Sequence, residues 1–254
     1  MSKKQSYSKH IYSKIKFYLT VNWYKTLYFN FKKFPLAVAL KLPVFFYGPV
    51  RFQSLSGNII VNAPIERGMI GFGQPYEKNT VHAGVAEVAI RGEVIFKGHI
   101  QFGKDYFFYV EKNAVAKFGY MASVGTRGKV ICMHSITLGD YARLGSESQI
   151  IDTNFHSMAD TVTGEKYAMT APVIIGNYNY ISNRVTILQG TVTPDFCTIA
   201  SNSLCTKDYS AFGENILIGG VPAKLLRNNI SRDWKNEKDL LDKWLKIDNL
   251  FKDF

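Results

Sequence analysis

From Leu138 onward the apolar residues of this chain recur every six positions, a spacing that fits neither the 3.6-residue turn of a helix nor the two-residue alternation of a strand. Leu138, Leu144 and Ile150 stand six apart, and after an interruption Ile175, Ile181, Ile187, Thr193, Ile199 and Cys205 continue at six. Seven of these nine positions are aliphatic, so burial sets the period. Glycine follows the ladder residue at Gly139, Gly145 and Gly176, and the fifth position is small or β-branched at Ala142, Ser148, Val185, Thr191, Cys197 and Ser203. The pattern predicts a mainly β chain folded as a parallel β-helix. Each hexapeptide supplies one short strand and one corner, and three of them close a triangular coil of about 18 residues. Stacked coils pair their backbones with one another and leave unpaired edges only at the two ends.

Upstream, between Val50 and Val130, short runs such as NIIV, EVAIRGEVIF and HIQFG alternate with glycine and charged residues and read as strands and turns. The chain therefore divides into an N-terminal arm over 1–49, a coil domain over 50–227 with an extruded loop at 152–173, and a C-terminal segment over 228–254. In that last segment Trp234, Leu240, Leu241, Trp244, Ile247 and Phe251 among alternating charges predict an amphipathic helix opened by a Ser231 cap. It is expected to cap the prism or to pack on a neighbouring subunit.

Charge separates the arm from the rest. Residues 1–65 carry nine Lys and one Arg and no acid, whereas the remaining chain holds 21 basic against 20 acidic side chains. Within the arm Tyr12, Phe17, Tyr18, Trp23, Tyr24, Tyr28 and Phe29 interleave with Lys, and Ile11, Ile15 and Leu19 recur at helical spacing. Two readings share this pattern: residues 1–33 lying at an anionic bilayer surface, or a helical cap with solvated Lys. No zinc-finger, helix-turn-helix or RNA-recognition signature accompanies the charge, so nucleic acid is not an expected partner. The longest apolar stretch, Phe34 to Tyr47, is broken by Lys41 and Pro43 and falls short of the ~20 residues a spanning helix needs. Three Cys without a disulfide-framework spacing point to a reducing compartment. A cytoplasmic protein, peripheral at the inner face of the cell membrane, is the expectation.

Three segments in order, IIDTNFHSM, PVIIGNYNYISNRVTILQG and SNSLCTKD followed by GGVPAKLLR, lie along the six-residue ladder. Together they resemble the left-handed β-helix hexapeptide-repeat acyltransferases, in particular the maltose, galactoside and polysaccharide O-acetyltransferases. The resemblance is strongest from Ile131 to Arg227. It implies a left-handed coil, acetyl-CoA as acyl donor, a sugar hydroxyl as acceptor and a homotrimer with active sites between subunits.

The ladder breaks between Ile150 and Ile175, and His156 sits near the start of the polar, turn-rich insertion. A His on a loop held by a rigid coil can act as general base toward a hydroxyl, and its segment is similar to the family's catalytic-histidine loop. The usual proline after that His is Ser157 here. Asp152 and Asn154 precede it at alternate positions, where either side chain can accept the second imidazole N–H or simply shape a turn. For the donor, the resemblance maps Tyr180, Asn183, Ser201, Thr206, Lys207, Lys224 and Arg227 onto coenzyme A contacts, the three cations suiting its phosphates. Cys197 and Cys205 fall on inward positions and read as small hydrophobes. No metal is expected.

The preferred function is acetyl transfer from acetyl-CoA to a sugar of a surface-polysaccharide or lipid-linked oligosaccharide precursor, with His156 as base. A zinc enzyme of the carbonic anhydrase type built on the same coil is the rival; it needs three His, of which His134 and His156 supply two. A non-catalytic, membrane-associated β-helical binding module is the other.

Overall fold

The computed structural model describes residues 18–77 and 84–246. The helical spacing read at Ile11 and Ile15, together with His10, His82, Ile247 and Phe251, falls outside them. The described chain winds into a parallel β-helix whose three walls are sheets of nine, seven and six strands. Every ladder residue lies inside the prism and stacks on its equivalent in the next coil: Leu138 on Ile175 and Thr193, Leu144 on Ile181 and Ile199, Ile150 on Ile187 and Cys205. The small fifth-position residues are buried at the corners. A Cβ on Gly139 would stand 2.6 Å from the backbone of Gly176, and one on Gly176 equally close to Pro194, so the corners of successive coils approach too tightly for a side chain there.

The stack starts earlier than the hexapeptide text reveals. Its first strand is Val44–Phe46, ahead of the boundary read at residue 50, and the interior of the first coils is aromatic rather than aliphatic. Phe46, Phe72 and Phe102 form a column along the first wall, with ring centroids 5.0 and 4.4 Å apart and planes nearly parallel. These rings fill a wider section, and the coils that hold them are longer than 18 residues: Ile70 pairs with Ile100, 30 positions on.

Both open ends are closed. At the N-terminal end helix α1 (Trp23–Lys33) lies on the free edge of Val44–Phe46 and satisfies it group by group. The Asn30 side chain accepts from the Val44 N–H at 3.2 Å and donates to its carbonyl at 2.7 Å. Thr26 Oγ1 accepts from the Phe46 N–H at 3.0 Å, and the Asn22 N–H donates to the Phe46 carbonyl at 2.8 Å. Phe29 enters the coil beneath Phe46 and Phe52. A short helix, α2 (Leu36–Ala39), follows. At the C-terminal end the strand Ile216–Gly219 is covered by Lys224–Asn228 running antiparallel, the only such pair in the three walls among the described residues.

The first wall is also sealed from outside. Helix α3 (Trp234–Leu245), capped by Asp233 rather than Ser231, packs along one of its corners within the same chain instead of over an end of the prism. There Tyr141, Tyr178 and Phe196 stack with centroids 5.2 and 4.9 Å apart, and Trp234 packs edge-on against Tyr141 and Tyr178. Asp242 accepts from the hydroxyls of Tyr120 (2.9 Å) and Tyr141 (2.7 Å), latching the helix down. Along the other corner Glu77 accepts from the Thr126 N–H and the Ser146 hydroxyl, and the Tyr76 hydroxyl donates to Val124. Between the two covers Arg143 is buried, donating to the Met121 carbonyl and Gln101 Oε1.

Candidate active site

The interruption of the ladder is an insertion at the corner between the second and third walls. Because Leu138 pairs with Ile175 and Ile150 with Ile187, the residues between Ile150 and Ile175 hold one hexapeptide step plus a 19-residue excursion. That excursion is a hairpin, Met158–Ala159 paired antiparallel with Lys166–Tyr167. Asp160 closes its tip by accepting from the Val162 and Thr163 N–H groups, both at 2.7 Å, and these bonds hold its carboxyl below the usual range. At the base the Asn154 N–H donates to the Met169 carbonyl and the Ala171 N–H to that of Asp152.

Asp152 is the anchor of this base. It is fully buried, and its carboxylate accepts from three consecutive backbone amides of the coil beneath: Met133 at 2.7 Å, His134 at 2.8 Å and Ser135 at 2.7 Å. Three N–H groups converge on one carboxylate and form a backbone nest around it. The orienting role toward His156 expected for Asp152 is therefore not what this geometry provides, since both oxygens are engaged elsewhere. Burial, with this carboxylate nearby, also pushes the Cys132 thiol well above its ordinary pKa.

His156 stands exposed on the hairpin's first arm and makes no hydrogen bond within the described chain. Around it Phe155, Met158, Tyr167 and Met169 are each about half exposed, an apolar surface beside the imidazole that the polar look of the segment concealed. Asn154, two residues before, is exposed as well. His134 lies exposed on the same corner one coil earlier, held there through its backbone by Asp152. Among the described residues no group of three or more His, Cys, Asp or Glu is placed to hold a metal ion.

The donor residues fall into three places. Asn183 and Ser201 line a groove of about 330 Å³ at the corner between the first and second walls, with Ser146, Glu147, Arg184 and Asn202. Asn183 Oδ1 accepts from the Ser146 N–H at 3.0 Å, so that side chain fixes the groove's wall and leaves backbone to face a ligand. Arg184 and Glu147 pair across the groove at 2.8 Å. Ser146, Arg184 and Asn202 were missed by sequence reasoning, although Arg184 and Asn202 directly follow the named pair and Ser146 stands one coil before Asn183. Thr206 and Lys207 sit on the His156 corner two coils further along, with Lys207 Nζ 5.7 Å from the Tyr209 ring. Lys224 and Arg227 lie on the closing antiparallel strand; like Lys207 they are exposed and form no ion pair among the described residues. Tyr180 is on the outside of the first wall under the Arg232 guanidinium, 5.2 Å from its ring centre. Cys197 and Cys205 face the interior, where burial pushes both thiols up to about 12. Neither is a nucleophile.

A single chain thus holds His156 at one edge of the second wall and the Asn183–Ser201 groove at the other. The imidazole can take a proton from a hydroxyl delivered at the hairpin, and the exposed cations can meet phosphate.

No family model matches the chain. Over 144 residues, 53% of this chain and 67% of the relative, it is 24% identical to WbbJ of Escherichia coli (strain K12), provisionally named a lipopolysaccharide biosynthesis O-acetyl transferase. Among solved structures it is similar to the polySia-specific acetyltransferase NeuO, 16% identical with 74% of this chain and 88% of that one covered and a TM-score of 0.47. It is similar also to the polysialic acid O-acetyltransferase OatWY, 16% identical, covering 77% and 99%, TM-score 0.41. A third is the hexapeptide-repeat acetyltransferase VCA0836 from Vibrio cholerae O1 biovar eltor, complexed with acetyl coenzyme A: 20% identical, covering 51% and 70%, TM-score 0.40.

Proposed function

We propose that this chain is an O-acetyltransferase that moves an acetyl group from acetyl-CoA to a sugar hydroxyl of a surface-polysaccharide or lipid-linked oligosaccharide precursor. One observation carries the reading: an exposed His156 on a hairpin that breaks an otherwise regular coil, its base pinned by a buried carboxylate. The similarity to WbbJ supports the substrate class. His156 takes the hydroxyl proton as the oxygen attacks the thioester carbonyl. The C–S bond then breaks, coenzyme A leaves as thiolate, and the imidazolium returns the proton to that sulfur. A backbone N–H at the groove holds the oxyanion of the tetrahedral intermediate. Asn154 is the remaining neighbour able to steady the imidazole.

The separation of His156 from the Asn183–Ser201 groove, with the apolar hairpin surface, supports a homotrimer in which one copy's hairpin meets the next copy's groove. Such an enzyme works in the cytoplasm at the inner membrane face, where the acceptor is built. The test is acetyl-CoA turnover against a panel of sugar acceptors with wild type and His156→Ala. The variant should lose about 10²–10⁴-fold in turnover at near-normal coenzyme A affinity. Turnover close to wild type would overturn the assignment.

A further inference from the structure

Helix α1 caps the stack with one side and turns an apolar stripe away from it. Thr26, Phe29 and Asn30 face the coil and are buried. At 100° per residue, Tyr24, Leu27, Tyr28 and Phe31 fall on the opposite side at the i, i+3, i+4, i+7 spacing of a buried face. They are exposed instead, Tyr24 at 74% and Phe31 at 49%, with Tyr28 keeping one side of its ring stacked on Phe52. Leu36 and Leu40 of the next turns extend the surface, at 66% and 65% exposure.

Its rim is basic. Lys25 and Lys32 flank the stripe, Lys32 Nζ lying 5.5 Å from the Tyr28 ring, and Lys41 follows Leu40. Residues 1–17, outside the described structure, add five Lys and no acid and lead directly into Tyr18. We propose that the outward face of α1 and α2 docks on an anionic lipid bilayer, with Tyr24, Leu27, Tyr28, Phe31, Leu36 and Leu40 entering the headgroup boundary and the Lys rim meeting phosphate.

Charge decides between occupants. A second copy of the same face would bring two uniformly basic rims together, whereas an anionic surface neutralises them, each basic residue adding roughly fivefold to partition at low salt. Tyr and Lys around an aliphatic centre is also the mixture that settles at a headgroup boundary. Because α1 closes the N-terminal end of the prism, docking sets the stack upright on the lipid. The His156 hairpin leaves the fifth coil, four spacings from the first, which places its base about 20 Å above the first coil, with the roughly 10 Å thickness of α1 between that coil and the lipid. The inference rests on the transferase reading only for what stands at that height; its test reads attachment and not acetyl transfer, so failure here leaves the turnover assay untouched.

The experiment is flotation of the full chain with vesicles of phosphatidylcholine alone and of phosphatidylcholine mixed with phosphatidylglycerol, at low and high salt. Wild type should float with the anionic vesicles at low salt, remain behind with neutral ones, and release as salt rises. The combined variant Tyr24→Ser, Leu27→Ser, Tyr28→Ser, Phe31→Ser should partition at least tenfold less at an unchanged thermal melt. Should its melt fall, Lys25→Gln with Lys32→Gln and Lys41→Gln takes its place, with at least a tenfold loss expected. Wild-type flotation by the variant that folds, or no flotation by wild type, overturns the proposal. So does a wild-type protein that ignores vesicles but forms a larger species on sizing that the variant abolishes, since the face then belongs to a second copy.

Discussion

Replacing Asp152 by Asn separates the anchoring role of this carboxylate from a catalytic one. The carboxylate accepts three backbone N–H bonds, one on Oδ1 and two on Oδ2, with no solvent access. An amide of the same shape has one acceptor atom. Turned to keep the two bonds from His134 and Ser135, it aims an NH₂ at the Met133 N–H, donor against donor. One charge-assisted bond is lost and a buried donor is stranded, for which about 1–3 kcal/mol is typical, and the two bonds retained lose their charge assistance. The sum is about 2–4 kcal/mol, or roughly 5–15 °C in melting temperature for a chain of this size. Urea unfolding should show a lower midpoint, and hydrogen exchange at the amides of 133–135 should accelerate. A group that only orients His156 behaves differently: its amide variant loses turnover at an unchanged melt. If Asp152→Asn melts within about 0.5 kcal/mol of wild type and the amides of 133–135 exchange at the wild-type rate, the anchor argument fails.

Lys224→Ala and Arg227→Ala should each raise the Michaelis constant for acetyl-CoA about tenfold with little change in maximal rate, because a phosphate contact binds ground and transition states alike; unchanged constants in both would remove them from the donor site. Asn30→Ala leaves the Val44 N–H and carbonyl at the stack's edge unpaired and should lower stability by about 2–4 kcal/mol in urea titrations. His99, buried against Glu66, has its pKa held below the ordinary 6.5, mainly by burial. As pH falls the unfolded chain protonates this ring first, so its contribution is complete above about pH 6.5 and is lost as pH drops through the lower folded value. His99→Gln should flatten the fall in urea midpoint between about pH 7 and pH 5, and an unchanged slope would assign that fall to other groups.

The upper coils were legible because their geometry is written in one residue type at one spacing. Ile, Leu or small residues every six positions leave no other way to fill a narrow triangular section. The first coils were not, because Phe46, Phe72 and Phe102 need a wider section and longer coils, which destroys the period while keeping the wall. Of the arm's two readings the structure speaks to the cap, since Phe29 and Asn30 close the stack whatever Tyr24 and Phe31 meet; the bilayer reading rests on the outward side of the same helix. The role of Asp152 could not be seen in sequence, because its partners are backbone amides of 133–135 brought beneath it by coil stacking. The corner aromatics were readable in principle. Tyr141, Tyr178 and Phe196 each stand three before a ladder residue, at φ of 53 to 56°, where a bulky side chain is unusual and stacking on the equivalent ring compensates.

The latch of α3 over the first wall bears on the homotrimer proposed above. A triangular prism offers three long faces, each a sheet able to pack against another, and with all three open nothing in its shape would stop growth into a branched lattice. Here Trp234 and the Asp242 bonds to Tyr120 and Tyr141 withdraw one face, leaving two unlike faces that share the hairpin edge. A contact that uses one of those on each copy is head-to-tail, and the fixed angle between them decides whether a ring closes. For the assembly proposed above, Asp242→Asn, by loosening the helix, should expose the first wall and add larger species on sizing; an unchanged profile would leave α3 a cover for that wall alone.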